Sequence, residues 1–293
     1  MRNLILLMAL GVLSSCKLAD VRPSAFKNDT IAPQRDGREM LAEAVNAMGY
    51  QNLENLETYS AKSVFKWKTF WSIMPMNSLR GNKGNEIEFH FVPNSFDSKV
   101  QYHEGRKRGD IHGLQSWEAY RELAGKALKF KKDKRRTWGQ GAYHYMIEAP
   151  YRLLEKAPIV KYAGEREWQG QTYDLIFATW YTEEPNKEHD QWLLYVNRET
   201  KFIDLAHITI REFFLPFPKN MAHGTVVYPS RTEKNGIYFP DEVIIQLGKP
   251  KKNTKKKVYR FSLYDYQFNS IEKQTFYPNP DLKPIGDHRP VER

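Results

Sequence analysis

The residues able to do chemistry in this chain are few and scattered. Eight histidines are spread over 293 residues. None stands in a His-x-x-x-His or HExxH spacing, which would put two imidazoles on one helical face of a metal site. Glu188, His189 and Asp190 are consecutive, but neighbouring side chains on a strand point to opposite faces, so the three do not converge. His103 and His112 are spaced to meet across a hairpin, and solvated imidazoles explain them equally well. Glu86 and Glu88 share one face of an alternating stretch about 7 Å apart, within the range of a glycoside-cleaving acid pair. The alternation puts that face in water, where paired glutamates are ordinary. There is no G-x-S-x-G nucleophile elbow and no glycine-rich phosphate loop between a strand and a helix. The sequence nominates no catalytic residue, no metal ligands and no cofactor.

Cys16 is the only cysteine, so no disulfide within the chain can use it. It follows Arg2, an apolar run from Leu4 to Leu13, and then Ser14 and Ser15. That run is too short to span a bilayer as a helix, which needs roughly 20 residues. A basic end, a short apolar core and small residues before a cut make a secretory signal. Leu13-Ser14-Ser15-Cys16 also resembles the lipobox of bacterial lipoproteins. The resemblance implies cleavage before Cys16 and acylation of its sulfur and new amino terminus; two or three acyl chains hold a protein firmly on a membrane, where one would not. Lys17 rather than Asp follows the cysteine, which by the same resemblance implies the outer membrane. Residues 16–37 are polar, contain two prolines and show no periodicity, so they are expected to be a lipidated, flexible tether spanning roughly 25–30 Å.

The charge supports an envelope setting. Residues 1–15 contain one Arg and no acid, so the net charge falls only from +10 to +9 when they are removed. An exported protein does not meet genomic nucleic acid, so nucleic acid is not an expected partner. Anionic lipid head groups or envelope polysaccharide suit the positive field. Aromatic residues make up 14% of the chain, a composition that favours strands.

The elements follow from periodicity. Leu41, Ala44, Val45 and Met48 fall on one helical face, with Asp36 and Glu39 at capping-box spacing and Gly49 as a stop. From Tyr59 to Trp71 the pattern alternates, with Tyr59, Ala61, Phe65, Trp67 and Trp71 on one side and lysines on the other; residues 85–92 and 98–102 repeat it. Over 116–130, Tyr120, Leu123, Ala124, Ala127 and Leu128 make a helical stripe with Ser116 as N-cap, so a helix is predicted there. Pro150 is expected to break or kink any helix in the following stretch. The second half reads as strands, with turns at Gln169-Gly170 and Asn235-Gly236. The sum is an α+β fold: a strongly curved antiparallel sheet of about 9–11 strands forming an incomplete β-barrel, with helices over its concave face. Residues 38–277 contain no internal linker and are expected to form one half-barrel domain, followed by a disordered tail at 278–293 with four prolines.

Residues 162–180 and 189–205 then resemble exported lipoproteins of Bacteroidetes-type bacteria related to the outer-membrane lipoprotein-sorting carriers and receptors, the LolA/LolB-like superfamily. Gly164, Gly170, Tyr173, Asp190, Tyr195, Asn197 and Thr200 match their strand-pair and hairpin pattern, and the resemblance extends over most of residues 38–270. It implies a half-barrel with helices over its mouth and an apolar cavity that accepts acyl chains, and it brings no catalytic residues. Several relatives bind lipids or lipoproteins.

Two apolar clusters suit the lining of such a cavity: Trp67, Phe70, Trp71, Met74 and Met76 at the end of the first long strand, and Phe213, Phe214 and Leu215 in a proline-containing stretch. Packed core accounts for the same residues. The basic run with Lys131, Lys132, Arg135 and Arg136 is a candidate head-group site, or else a solvated loop. The expectation is a membrane-anchored envelope lipoprotein that binds a lipid or acyl chain without chemistry. A hydrolase of envelope polymers and a structural component of an outer-membrane assembly, its protein partner unspecified, are the other two readings.

Overall fold

The computed structural model describes residues 18–31, 35–68, 79, 82–211, 218–251 and 257–286. The fold is α+β, as the sequence predicts. Among the described residues thirteen strands make one sheet, in the order β6-β5-β4-β3-β2-β1-β15-β14-β11-β10-β9-β8-β7. The first run of strands is β1 (Tyr59–Trp67), β2 (Glu86–Phe91), β3 (Ser98–Tyr102), β4 (Ile111–Gln115), β5 (Glu118–Glu122) and β6 (Lys129–Phe130). The second is β7 (Ile159–Trp168), β8 (Gln171–Thr179), β9 (Trp192–Asn197), β10 (Ile203–Thr209) and β11 (His223–Val227). Between the two runs lie β14 (Glu242–Leu247) and β15 (Lys257–Phe268), and β12 (Arg231–Lys234) pairs with β13 (Ile237–Pro240) as a separate hairpin. Each run is an antiparallel meander. Because β6 and β7 are the two ends and do not pair, the sheet is open.

Among the described residues three α-helices accompany it: α1 (Ser24–Lys27), α2 (Gly37–Ala47) and α3 (Lys134–Lys156). No helix among the described residues is long and apolar enough to cross a membrane. Chain contacts divide the molecule into two compact units. Unit 1 comprises residues 1–44, 153–227 and 245–256; unit 2 comprises 45–152, 228–244 and 257–293.

In unit 1 strands β8 to β11 are heavily buried, β9 along its whole length, while the edge strand β7 is largely exposed or half-buried. The start of α2 lies directly on β7: a Cβ at Gly37 would overlap the Lys161 backbone, so only glycine fits. Arg38 donates to the carbonyls of Leu154 (2.7 Å) and Ala157 (2.5 Å), satisfying groups that the end of α3 leaves open. The expected flexible tether is different in the structure. Residues 18–31 are fastened to unit 1 at particular points: Ala19 and Val21 are buried, and the Phe26 ring lies 5.2 Å from Phe177, while 24–25 and 27–30 are exposed. Polar composition concealed this, because the segment is held largely through backbone hydrogen bonds and ion pairs.

In unit 2, α3 lies on the ring-bearing face of β1, β2 and β15. Tyr143 is 5.1 Å from Phe65 and 5.7 Å from both Phe89 and Phe261; His144 is 4.5 Å from Phe91.

Two sequence expectations fail here. The helix predicted over 116–130 is a hairpin instead. Ser116 and Trp117 both have positive φ, 50° and 67°, and form the two-residue turn between β4 and β5, the conformation that matches strand twist. This contributes β5 and β6, so the strands outnumber the nine to eleven expected. Tertiary partners hold the turn: Asp97 accepts from the Ser116 amide at 2.6 Å, and Ser116 Oγ donates to the Lys283 carbonyl. Gly113 pairs with Tyr120, whose ring occupies the space a Cβ would take. The second failure is Pro150, which lies inside a continuous α3. The carbonyl it leaves without a helical donor, that of Met146, is taken by Tyr228. The expected loose tail is also tied down in part, since Gln115 donates to the carbonyls of Asn279 and Leu282.

Candidate functional site

The face of unit 2 expected to line an open hollow is filled. Tyr59, Phe65, Phe89, Phe91, Tyr259 and Phe261 are buried, and Phe65 stacks on Phe261 at 4.9 Å. Trp67 belongs to this layer: it stacks on Tyr259 at 4.1 Å at the end of β1. Its indole Nε1 is buried and has no hydrogen-bond partner among the described residues. Phe70, Trp71, Met74, Met76, Phe213, Phe214, Leu215 and Cys16 lie outside the described residues.

Over the rings, α3 presents a polar stripe at i, i+4 and i+8, namely His144, Glu148 and Arg152. All three are buried. His144 Nε2 lies 2.7 Å from Glu148 Oε1, Tyr59 Oη donates to the same oxygen at 2.8 Å, and Arg152 Nε donates to Oε2 at 2.9 Å. Arg152 also donates to the Ser95 carbonyl and lies 4.4 Å over the Phe96 ring. Burial pushes His144 below the ordinary imidazole value, so it is neutral, with Nε2–H directed at the carboxylate. Burial alone would raise Glu148, but Arg152 and the hydrogen bonds from His144 and Tyr59 hold it below the ordinary carboxylate range. The result is one buried ion pair with a neutral imidazole attached. Sequence reading missed this stripe by counting histidines pairwise; the signal present was the four-residue spacing of opposite charges along one helix face.

The head-group candidates divide. Lys131 and Lys132 are exposed just before α3, and Arg135 is exposed in its first turn. Arg136 is part-buried: its amide is capped by Asp133, and its positive field falls on Lys107 and His112, where burial is the main cause of Lys107 dropping to about 8 and His112 to about 3.

The other sequence candidates do not converge on chemistry. His112 bonds to Tyr102 at 3.1 Å and His103 to Glu88 at 3.1 Å, so the two histidines do not share a site. Glu86 accepts from Tyr264. Asp190 is part-buried and accepts from Thr209 Oγ1 and the Arg211 amide, while His189 turns away to stack on Tyr181. Burial pushes Asp190 up to about 6. His207 and His223 approach to 2.8 Å, and no group of three or more metal-ligating side chains occurs among the described residues.

The residues of the carrier-like pattern hold hairpins. Asn197 Oδ1 accepts from the Glu199 and Thr200 amides in the β9–β10 turn. Tyr173 Oη and Asn197 Nδ2 both donate to Asp204, and Tyr195 Oη accepts from Arg166. Unit 1 also carries an open polar cleft of about 290 Å³ lined by Arg35, Tyr162, Asp174, Arg198 and Lys201. Its guanidinium groups are engaged, Arg198 with Asp174 and Glu165, and Arg35 with Glu43.

Solved structures share this architecture. A DUF1329 family protein from Desulfovibrio piger superposes with a TM-score of 0.50 at 8% identity, covering 86% of this chain and 100% of its own. A LolA superfamily protein from Nitrosomonas europaea gives 0.50 at 10% identity, covering 83% of this chain and 97% of its own. The chain therefore has the fold of the LolA superfamily, the fold that the hairpin residues suggested. Neither a protein-family model nor a curated protein matches the sequence.

Proposed function

We propose that this protein is a non-catalytic lipoprotein of the cell envelope, anchored in the outer membrane through acylated Cys16, that binds an acyl-bearing ligand between α3 and the ring-lined sheet. The ring-filled interior is then the ligand-free, closed arrangement. The observation that carries the reading is the way α3 is fastened over those rings, by a buried stripe of ions and hydrogen bonds. A buried ion pair adds little stability over apolar residues of the same size, so its value is as a clasp that can open as a unit. Trp67 Nε1, a buried donor without an acceptor among the described residues, supplies a partner for a ligand carbonyl, and the exposed Lys131, Lys132 and Arg135 suit a phosphate or carboxylate head. The fold shared with a LolA superfamily protein supports the same reading.

A role as a structural component is favoured by the same filled interior, if α3 never lifts. A hydrolase has no support from the described residues, because the one buried acid–imidazole pair, Glu148 and His144, is inaccessible. Native mass spectrometry of the Cys16→Ala chain, with solvent extraction, decides between carrier and structural part. Without covalent lipid, co-purifying acyl species and displacement of a fluorescent fatty acid are expected. A bare mass with no fatty-acid binding would leave the structural role.

A further inference from the structure

We propose that the end of unit 1 carrying Tyr181 and Met221 rests on a phospholipid bilayer, with these two side chains in the headgroup layer. The inference depends on the anchoring of Cys16 proposed above.

The topology brings three stretches of chain to this end. In the β7–β11 meander, the β8–β9 connection (180–191) and the described parts of the β10–β11 connection (210–211 and 218–222) lie at the same end of the strands, while the turns at 169–170 and 198–202 lie at the other. Residues 19–22 cross this end and are fastened to both connections. The Ala19 amide donates to the Lys219 carbonyl (3.1 Å) and Arg211 Nη2 donates to the Ala19 carbonyl (2.9 Å). The Val21 amide donates to Gln191 Oε1 (3.3 Å), and Arg22 pairs with Glu184.

This fastening sets the reach of the anchor. Only three residue steps separate Ala19 from Cys16, at most about 10 Å of extended chain. The headgroup layer on each side of a bilayer is roughly 5–7 Å deep. A Cys16 whose acyl chains enter the membrane therefore brings the Lys219–Met221 turn to the lipid surface. It cannot stand off at the end of a long tether.

The surface at that end has matching chemistry. Tyr181 is 90% exposed and Met221 62%, the two most exposed large hydrophobic residues among those described. Tyr181 has a φ of 71°, an unfavourable conformation for an aromatic residue. Its loop is nonetheless well pinned: Gln191 Nε2 donates to the Glu183 carbonyl, Trp180 Nε1 to Lys156, and Asn186 Oδ1 accepts from the Glu188 and His189 amides. The ring is thus held outward by a fixed loop. Tyrosine, with an apolar ring and a polar tip, is a residue type that settles at the headgroup level. Lys187 and Lys219 are exposed at this end, as are Glu184 and Glu188, with Glu184 already paired to Arg22, and exposed lysines draw such a surface toward anionic lipid.

The test uses the full-length chain, purified from envelopes and reconstituted into vesicles of phosphatidylethanolamine and phosphatidylglycerol. Because Cys16 is the only cysteine and its acylated sulfur cannot be alkylated, Tyr181→Cys, Met221→Cys and Glu167→Cys each offer one labelling site. Glu167 lies at the opposite end of the strands, about 25–30 Å away along β8. An environment-sensitive fluorophore at 181 and 221 is expected to be quenched several-fold more by headgroup-nitroxide lipid than one at 167, and to be shielded from iodide. A protein that floats with the vesicles while all three labels behave alike overturns the bilayer face and leaves the anchor standing. Labelling of Cys16 in the parent chain, or failure to float, removes the anchor and the inference with it.

Discussion

Tyr228 donates a hydrogen bond from its hydroxyl to the carbonyl oxygen of Met146 at 2.6 Å, and this contact explains how α3 runs through Pro150. Proline has no N–H for the carbonyl four residues earlier, and its ring pushes that carbonyl aside. Tyr50 adds a second support one residue on, donating to the Ile147 carbonyl at 2.9 Å. Both tyrosines are buried. Replacing Tyr228 with Phe keeps the ring and leaves the Met146 oxygen unsatisfied, an expected loss of about 1–3 kcal/mol. In the Pro150→Ala background the helix supplies its own donor, so the same replacement is expected to cost less than half as much. Equal losses in the two backgrounds, read from urea midpoints, would show that the hydroxyl does not serve this carbonyl.

The clasp of His144, Glu148 and Arg152 leads to a second prediction. Glu148→Gln removes the charge that balances Arg152 in a buried setting, for an expected loss of about 3–5 kcal/mol. Changing all three residues together to apolar ones of similar size is expected to cost much less, because no buried charge is left behind. A triple variant as unstable as Glu148→Gln, by chemical denaturation, would mean that the residues act singly.

Stability should also depend on pH with a definite sign. Burial, as the main cause, pushes His90 down to about 4 and His112 and His207 down to about 3, and it lowers His144 as well. Below the ordinary imidazole value of 6.5, the unfolded chain binds protons that the folded chain refuses. The stability these groups contribute is complete above pH 6.5 and is lost as pH falls toward 3–4. Glu148, held below 4.5, acts in the same direction at still lower pH. Asp190, pushed up to about 6, acts oppositely: its contribution is present below 3.8 and lost by about pH 6. Burial also raises Asp97, which acts with Asp190, and lowers His223, which acts with the other histidines. Five histidines outweigh two aspartates, so thermal midpoints are expected to fall from pH 7 to pH 4.5, with a loss on the order of a few kcal/mol. A flat or inverted profile over that window would contradict the buried, neutral histidines.

The sequence made the sheet legible because its strands alternate: Phe65 and Trp67 in β1, and Ile87, Phe89 and Phe91 in β2, point inward as their spacing requires. It concealed two elements in which distant residues decide. Tyr120, Leu123, Ala124, Ala127 and Leu128 fit a helix by spacing, yet Asp97 and the 279–283 segment stabilise a turn at Ser116-Trp117 that no local propensity favours. Pro150 reads as a break only while Tyr228, 78 residues further on, is out of view. Of the site, the ring layer was visible and its filling was not, because alternation tells which face is buried without telling what covers it.

The turn that spacing hid can be tested at Gly113. A Cβ there would overlap the Tyr120 ring across the β4–β5 pair. Gly113→Ala is therefore expected to destabilise by about 1–3 kcal/mol through overpacking. Tyr120→Leu in the same chain should recover part of that loss by vacating the space. Additive losses in the double variant, from thermal melts, would mean that the two residues do not share the site.

Trp67 separates a packing role from a binding role. Its ring stacks on Tyr259 at 4.1 Å, whereas its Nε1–H has no acceptor among the described residues. Trp67→Phe keeps an aromatic face against Tyr259 and removes the donor. A buried donor without a partner is a burden of about 1–3 kcal/mol, so losing it offsets part of the cost of the smaller ring, and the ligand-free melting temperature should change by no more than a few degrees. If a ligand carbonyl is the missing acceptor, affinity for a fluorescent fatty acid should fall about tenfold, the equivalent of one hydrogen bond of roughly 1.4 kcal/mol. Trp67→Ala, by contrast, should lower stability by about 3–5 kcal/mol and disturb binding through the loss of packing. Unchanged affinity in Trp67→Phe would place the ligand elsewhere and leave Trp67 as core.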